Sequence, residues 1–315
     1  MNNIILAFSV VFPIMVMMFV GYELRRFKIM DTPSLNIMNK LVFRVFLPIL
    51  LFLNIYSLDP KEALNHDNAK LVLFTSLSII ASTIIYHLVF SRLVKDRRKC
   101  SVMIQGIFRS NLVLFGIPIA ASIYGANRIG VVSLLAAFIV PLVNILAVII
   151  LESYRGVKVN PYRLLLSILK NPLIIAALLA FLLLIFQINI PDIILSPFVS
   201  MSKVATPLAF IVLGGTFQFR RISINIKYLI VVVLGKLILM PGVVFSIAVV
   251  LGFRNEALVA LIGAIASPTA VSSFTMAIEM DADGELAGQI VIVTSIVCIF
   301  TIFFWVLLLK SLQFI

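Results

Sequence analysis

Two stretches of an otherwise apolar chain carry the residue types that can do chemistry. One reads FRSNLVLFGIPIAASIYG from Phe108 to Gly125, and the other reads AIASPTAVSSFTMAIEM from Ala264 to Met280. Proline has no backbone donor and clashes with the turn before it, so Pro118 and Pro268 each favour a kink or a break. A half-helix beginning at a break presents unpaired N–H groups and the positive end of its dipole, a setting suited to a carboxylate. Such ends are predicted near Leu112 and Thr269. Asn111 adds a side-chain amide, and Ser110, Ser267, Thr269, Ser272 and Ser273 offer hydroxyls. The candidate anion-binding set is Arg109, Ser110, Asn111, Ser267, Pro268 and Thr269, with helix breaks at Gly116, Pro118 and Pro268. For either stretch alone, an ordinary kinked helix with Ser and Thr bonded to neighbouring backbone is an equal reading. Matched interruptions in two places favour a site.

Arg109 is the charge placed deepest, near the middle of its apolar stretch, where a charged side chain is costly and functional by default. Its two readings are holding or attracting an anion, and bonding carbonyls left open by a broken helix. Lys203 and Lys236 lie nearer stretch ends, and Lys40, Arg44 and Lys170 lie toward one face, where long stems snorkel, so these five are expected to be structural. No Asp or Glu is deep; Glu152, Glu256 and Glu279 are near ends. A buried carboxylate relay or a carboxylate ligand for sodium is therefore missing, and a coupling ion, proton or sodium, is left open because carbonyls, hydroxyls and Asn also bind sodium. Paired carboxylates or a nucleophile with its base are missing too, which argues against an enzyme. His66 is expected in a loop and His87 late in an apolar stretch, neither as a metal ligand; Cys100 and Cys298 have no metal or disulfide spacing, and no cofactor is implied.

The elements that must position these residues are membrane helices. The chain is 62% hydrophobic and 12% charged, against roughly half apolar and a quarter charged in a soluble domain. Apolar stretches of about 20 residues, enough to cross a bilayer as a helix, recur along its length, and the short alternating segments of a β-barrel are absent. Spans are predicted at about 4–23, 37–57, 69–91, 100–124, 129–151, 164–187, 193–217, 226–252, 256–279 and 286–310. The first is too long and lacks the basic flank of a signal peptide. The fold class is thus an all-α integral membrane protein of ten transmembrane helices.

Loop charge orients it. Arg25, Arg26 and Lys28 follow span 1; Arg92, Lys95, Arg97, Arg98 and Lys99 follow span 3; Arg155, Lys158 and Arg163 follow span 5; Arg220, Arg221 and Lys227 follow span 7. The opposite loops and both ends hold Lys61, Lys70, Arg128, Arg254 and Lys310. This positive-inside bias puts both termini outside a cytoplasmic membrane, and it accounts for the net charge of +12 without a nucleic-acid partner. Acidic residues after span 9 weigh little.

The chain also looks duplicated. Pro13 and Pro172 are 159 positions apart in similar surroundings, and so are Pro48 and Pro207. Two halves, 1–155 and 156–315, with five spans each would enter the membrane from opposite sides, the inverted-repeat plan of many transporters. A shift of 157 positions takes Asn111 to Pro268. Both residues fall about 16–18 Å along their spans, near the midplane.

The sequence SNLVLFGIP from Ser110 to Pro118, followed by Tyr124 and Gly125, resembles the N-x-x-x-x-G-I-P…Y-G signature of the auxin efflux carrier family, which includes plant PIN carriers and bacterial permeases. SPTAVSSFTMAIEM, from Ser267 to Met280, resembles the family's proline-bearing ninth helix. The resemblance runs over the whole chain in span number and order. It implies a scaffold of helices 1, 2, 6 and 7 that can form a homodimer, a transport domain of helices 3–5 and 8–10, and broken helices 4 and 9 crossing at the midplane. It also implies that Asn111, matching the family's crossover asparagine, contacts a substrate carboxylate. Ser110 stands where plant carriers often have proline, and Ser273 where they carry a second one. The expected function is a secondary transporter for a small organic anion, working by alternating access. A passive anion channel or a membrane-embedded ligand sensor is the alternative.

Overall fold

The computed structural model describes residues 2–57, 66–125, 129–155, 161–217 and 222–315. The predicted loop residues Lys61, Arg128, Lys158, Arg220 and Arg221 lie outside them, as does most of the join between the halves.

All regular structure among the described residues is helical, apart from one isolated bridge at the candidate site. The helices are α1 (Asn2–Arg26), α2 (Thr32–Tyr56), α3 (His66–Leu93), α4 (Arg97–Phe108), α5 (Leu112–Tyr124), α6 (Gly130–Tyr154), α7 (Pro161–Leu169), α8 (Pro172–Ile185), α9 (Asp192–Thr216), α10 (Ile222–Val250), α11 (Glu256–Ala266), α12 (Ser272–Glu279) and α13 (Gly284–Ser311). Six of them, α2, α3, α6, α9, α10 and α13, are long and apolar enough to cross a membrane. His66, expected in a loop, is the first residue of α3.

Helix starts are written in the sequence. Asp31 accepts from the Ser34 amide at 2.8 Å, Asp96 from the Arg98 amide at 2.9 Å, Asn171 from the Leu173 amide at 3.0 Å and Asp283 from the Leu286 amide at 2.9 Å. Each side chain satisfies an amide that has no partner within its helix. Proline shapes the helix interiors. Three wide turns, Val42–Phe46, Gly235–Leu239 and Ile262–Ala266, end just ahead of Pro48, Pro241 and Pro268. In the first two, a backbone N–H reaches five residues back, from Leu47 to Val42 and from Met240 to Gly235. Widening a helix by one residue relieves the clash between a proline ring and the preceding turn.

Small residues set the closest packing. A Cβ on Gly21 would fall 1.9 Å from the Ile211 carbonyl oxygen, and one on Gly214 would fall 1.9 Å from that of Met18. Only hydrogen fits at either point, so α1 and α9 touch backbone to backbone. Because backbone cannot yield as a side-chain tip does, Gly214→Ala is expected to lower stability by about 1–3 kcal/mol. Thermal melting of the detergent-purified variant, compared with Gly242→Ala, where a Cβ meets only the Trp305 ring at 3.5 Å, checks this.

Candidate functional site

Both interrupted stretches are broken, and their breaks touch. In the first, α4 ends at Phe108 and Arg109 turns extended, with φ −91° and ψ 108°. The chain re-enters a helix at Leu112, as predicted. In the second, α11 ends at Ala266, and Ser267, preceding a proline, adopts φ −70° and ψ 157°. A proline ring disfavours the helical region for the residue before it, which agrees with the break here. The next helix begins at Ser272 rather than near Thr269.

Ser110 and Thr269 form an isolated antiparallel bridge, and the Asn111 amide donates to the Pro268 carbonyl at 2.8 Å. The backbone freed by each break is thus taken up by the other. Thr269 is locked further: its hydroxyl donates to the Gly106 carbonyl at 2.6 Å and its amide to the Thr294 hydroxyl at 3.2 Å.

Gly116 and Pro118, predicted at a break, lie inside α5. The break falls upstream because Asn111 spends its amide on the other strand of the crossing. Gly116 has a packing role instead. A Cβ on Gly263 would fall 2.5 Å from the Gly116 Cα, so these two glycines are where α5 and α11 meet.

A cavity of about 140 Å³ opens beside the crossing. Its walls include Arg109, Ser110, Asn111 and Leu112 on one side of the break, and Ala270, Val271 and Ser272 on the other. Of the predicted anion-binding set, Arg109, Ser110 and Asn111 therefore line it, whereas Ser267, Pro268 and Thr269 do not. Ser267 and Thr269 are buried, and the Ser267 hydroxyl has no hydrogen-bond partner. Both helix starts line the cavity. At the start of α12 the Ser273 and Phe274 amides donate to the Ala270 and Val271 carbonyls at 2.9 and 3.0 Å, and in α5 the Phe115 amide donates to the Asn111 carbonyl at 3.2 Å. The earliest amides, from Leu112 and Ser272, are therefore the ones without an intrahelical acceptor. The Asn111 side chain makes no hydrogen bond to any described residue.

Two cations stand at the break. Arg109 is 1% exposed, and its guanidinium donates to Asn144 Oδ1 and, at 2.8 Å, to Ser272 Oγ, with a further contact to the Met276 thioether. It bonds side chains of α6 and α12, not carbonyls left open at the break. Lys236 is 0% exposed and its ammonium donates to Ser110 Oγ. The expectation that Lys236 lies nearer a span end is therefore corrected: it sits mid-way along α10, in the wide turn ahead of Pro241, which directs it inward. Trp305 Nε1 donates to the Leu237 carbonyl of that turn at 2.9 Å. Lys40, Arg44, Lys170 and Lys203 are exposed, as a snorkelling role requires. No carboxylate among the described residues pairs with Arg109 or Lys236.

Asn144 was not among the predicted residues. A lone amide within the apolar stretch of α6, three residues after Pro141, is the signal that marks it. Away from the cavity, His87 Nδ1 lies 2.9 Å from the Tyr154 hydroxyl, and the buried Cys100 and Cys298 are free thiols. No cluster of metal-binding side chains occurs among the described residues.

The sequence profile of a family described as "Membrane transport protein" matches residues 6–306. The chain belongs to this family, that of the auxin efflux carriers its motifs resemble. A protein of Methanothermobacter thermautotrophicus named "Uncharacterized transporter" is 24% identical over 310 residues, covering 94% of this chain and 96% of its own. For a membrane transport protein, a crossing of broken helices beside a cavity is the place where a solute can meet backbone dipoles within the bilayer.

Arg109 holds α6 and α12 together through a fork that an ammonium cannot reproduce. Arg109→Lys is expected to lower solute uptake about tenfold or more, the cost of one lost charged hydrogen bond. Uptake into proteoliposomes, normalised to folded protein by size-exclusion chromatography, is the measurement.

Proposed function

We propose that this chain is a secondary carrier that moves a small organic acid anion across the cytoplasmic membrane by alternating access. One observation carries the reading: an asparagine side chain without a partner among the described residues, two helix starts and the buried Arg109 line one cavity, with Lys236 behind it on Ser110 Oγ, and no described carboxylate lines it or pairs with either cation. Helix starts and free N–H donors favour a carboxylate, and low-dielectric surroundings strengthen that preference.

In this reading the short helices join in pairs, α4 with α5, α7 with α8 and α11 with α12, to complete ten spans in two inverted repeats, 1–155 and 156–315, with both termini outside. The crossing supports it. Ser110 and Thr269, which pair directly, are 159 positions apart, the same offset that relates Pro13 to Pro172 and Pro48 to Pro207. Residues nearest a two-fold axis are each other's mates, so a bridge at the repeat offset is what an axis through the crossing produces.

Alternating access then divides the helices into a scaffold and a transport domain. Packing supports that division: α1 lies against α9 and α8 against α2, while α3 packs on α4 and α6, and α13 on α10 and α12. The cavity is lined from both groups, by α2, α8 and α9 on one side and by the break after α4, α5, α6 and α12 on the other. A second cavity of about 150 Å³, between the end of α9 and the starts and ends of α13 and α12, lies on the predicted inner side and offers a route onward.

Asn111→Ala in purified, reconstituted protein is expected to lower uptake of the best carboxylate substrate about tenfold, the value of one hydrogen bond to a charged group. Unchanged uptake would overturn the assignment of Asn111. Flux that neither saturates nor exchanges would overturn the carrier in favour of a channel.

A further inference from the structure

Lys236 stands behind the cavity rather than in it. Its ammonium donates to Ser110 Oγ, and Ser110 lines the cavity whereas Lys236 does not. Several contacts hold it there. The wide turn Gly235–Leu239 directs the side chain inward, Trp305 Nε1 donates to the Leu237 carbonyl of that turn at 2.9 Å, and the Trp305 ring meets Phe245 edge-on at 5.2 Å between centroids. Gly235, just before the lysine, lets α10 come close to α4, since a Cβ there would fall 2.9 Å from Ile107 Cδ1. The Ser110 end is fixed too, because its backbone pairs with Thr269 in the crossing.

This arrangement decides where the Ser110 hydrogen lies. A hydroxyl has one hydrogen to donate and lone pairs to accept with, whereas an ammonium has donors only. The Ser110 hydrogen therefore cannot point back at Lys236. Its oxygen makes no other hydrogen bond with a described residue, and the space beside it is the cavity. Ser110 thus presents its O–H to whatever occupies the cavity, next to Asn111 and the start of α5. An oxygen that already accepts from a cation has a more polarised O–H bond, and linked hydrogen bonds strengthen one another. No carboxylate among the described residues cancels the charge behind it.

We infer that Lys236 is a positioning residue that acts through Ser110: it holds the hydroxyl oxygen so that the hydrogen faces the cavity, and its uncancelled charge makes that hydrogen a stronger donor. This rests on the carrier reading above, in which an anion occupies the cavity. Arg109 has a different task. Its guanidinium is taken up by Asn144 and Ser272, so it ties α6 to α12, whereas Lys236 serves one hydroxyl. Without the lysine, the Ser110 hydroxyl is free to turn to backbone, as the Ser78 and Ser153 hydroxyls do to carbonyls four residues back. The charge of Lys236 therefore reaches the ligand without contact, through the one group that touches both.

The test is a double-mutant cycle on the full-length protein in lipid nanodiscs, with Lys236→Met, Ser110→Ala and the two combined. Lys236→Met exchanges a buried ammonium for an apolar chain of similar length, a change that is often neutral or stabilising. The probes are straight-chain mono- and dicarboxylates of two to five carbons, together with the primary amide of whichever binds tightest. Calorimetry is expected to show each single variant binding that carboxylate about tenfold more weakly, the value of one hydrogen bond to a charged group. The double variant should be no weaker than either single one, because both changes remove the same donor. Affinity for the neutral amide should fall by only about twofold, since a bond to a charged partner is roughly twice as strong as a neutral one. A general loosening of the site would instead weaken carboxylate and amide alike. Thermal midpoints without ligand check the link itself: Ser110→Ala should lower the midpoint when Lys236 is present, by leaving its ammonium without a partner, and not when Met stands in its place. Wild-type affinity in Lys236→Met, losses that multiply in the double variant, or a midpoint change from Ser110→Ala that is equal in both backgrounds would each overturn the inference and leave the carrier reading standing. If the wild type binds none of the carboxylates, the carrier reading falls and this inference with it.

Discussion

Everything at the centre of this protein depends on one short piece of backbone pairing, the contact of Ser110 and Asn111 with Pro268 and Thr269. A broken helix inside a membrane leaves amides and carbonyls with no water to satisfy them, a cost of several kcal/mol for each group. Two breaks placed against each other relieve part of that cost mutually, through the bridge and the Asn111 to Pro268 hydrogen bond. Neither break is stable where it is without the other. The glycines follow from this. To bring the two breaks into register, α5 and α11 must cross at backbone distance, and Gly116 and Gly263 are the residues that permit it. Thr269 completes the lock by tying its own strand to α4 and α13.

The electrostatics are set by what is missing as much as by what is present. Arg109 and Lys236 are both buried at the break, and both donate to neutral partners: an amide oxygen and hydroxyls. Buried charges are ordinarily paired, because neutral hydrogen bonds replace only part of a lost hydration shell. An uncompensated pair of cations beside an open cavity creates a positive potential that short-range dipoles at the helix starts reinforce. In the proposed reading an anion entering that cavity would supply the missing counter-charge, and its departure would restore the imbalance.

Much of this was legible in the sequence, because the strongest constraints are one-dimensional. Hydropathy over about 20 residues marks helices that cross a membrane, and Ser267, standing before Pro268, is biased away from the helical region. Asn111 could be found by matching the two interrupted stretches. What could not be read was side-chain reach. Lys236 was expected nearer a span end because nothing in its own neighbourhood, GKLILMPG, reveals that Ser110, at a helix break 126 positions away, accepts from its ammonium. Pro118 was misleading for the opposite reason. Its local rule is real, but Asn111 had already diverted the chain about two turns earlier, and the helix that follows accommodates the proline inside it.

In the proposed carrier, the interface between the two helix groups has to be firm enough to exclude solute and loose enough to move. Asn39 of α2 shows how both demands can be met. Its amide donates to the Thr275 carbonyl at 3.3 Å and to Glu279 Oε1 at 3.1 Å, both on α12. These bonds are long, and the Asn39 oxygen is buried without a partner. In the proposed carrier this tie between α2 and α12 would have to break and re-form with each cycle. Leu47, Leu50 and Leu51 of α2 line the cavity wall. Apolar contact has no direction, so a helix group can shift along it without giving up specific partners until it reaches the next arrangement. The polar locks are concentrated within the crossing, which must travel intact, and are sparse along the surface over which it would travel.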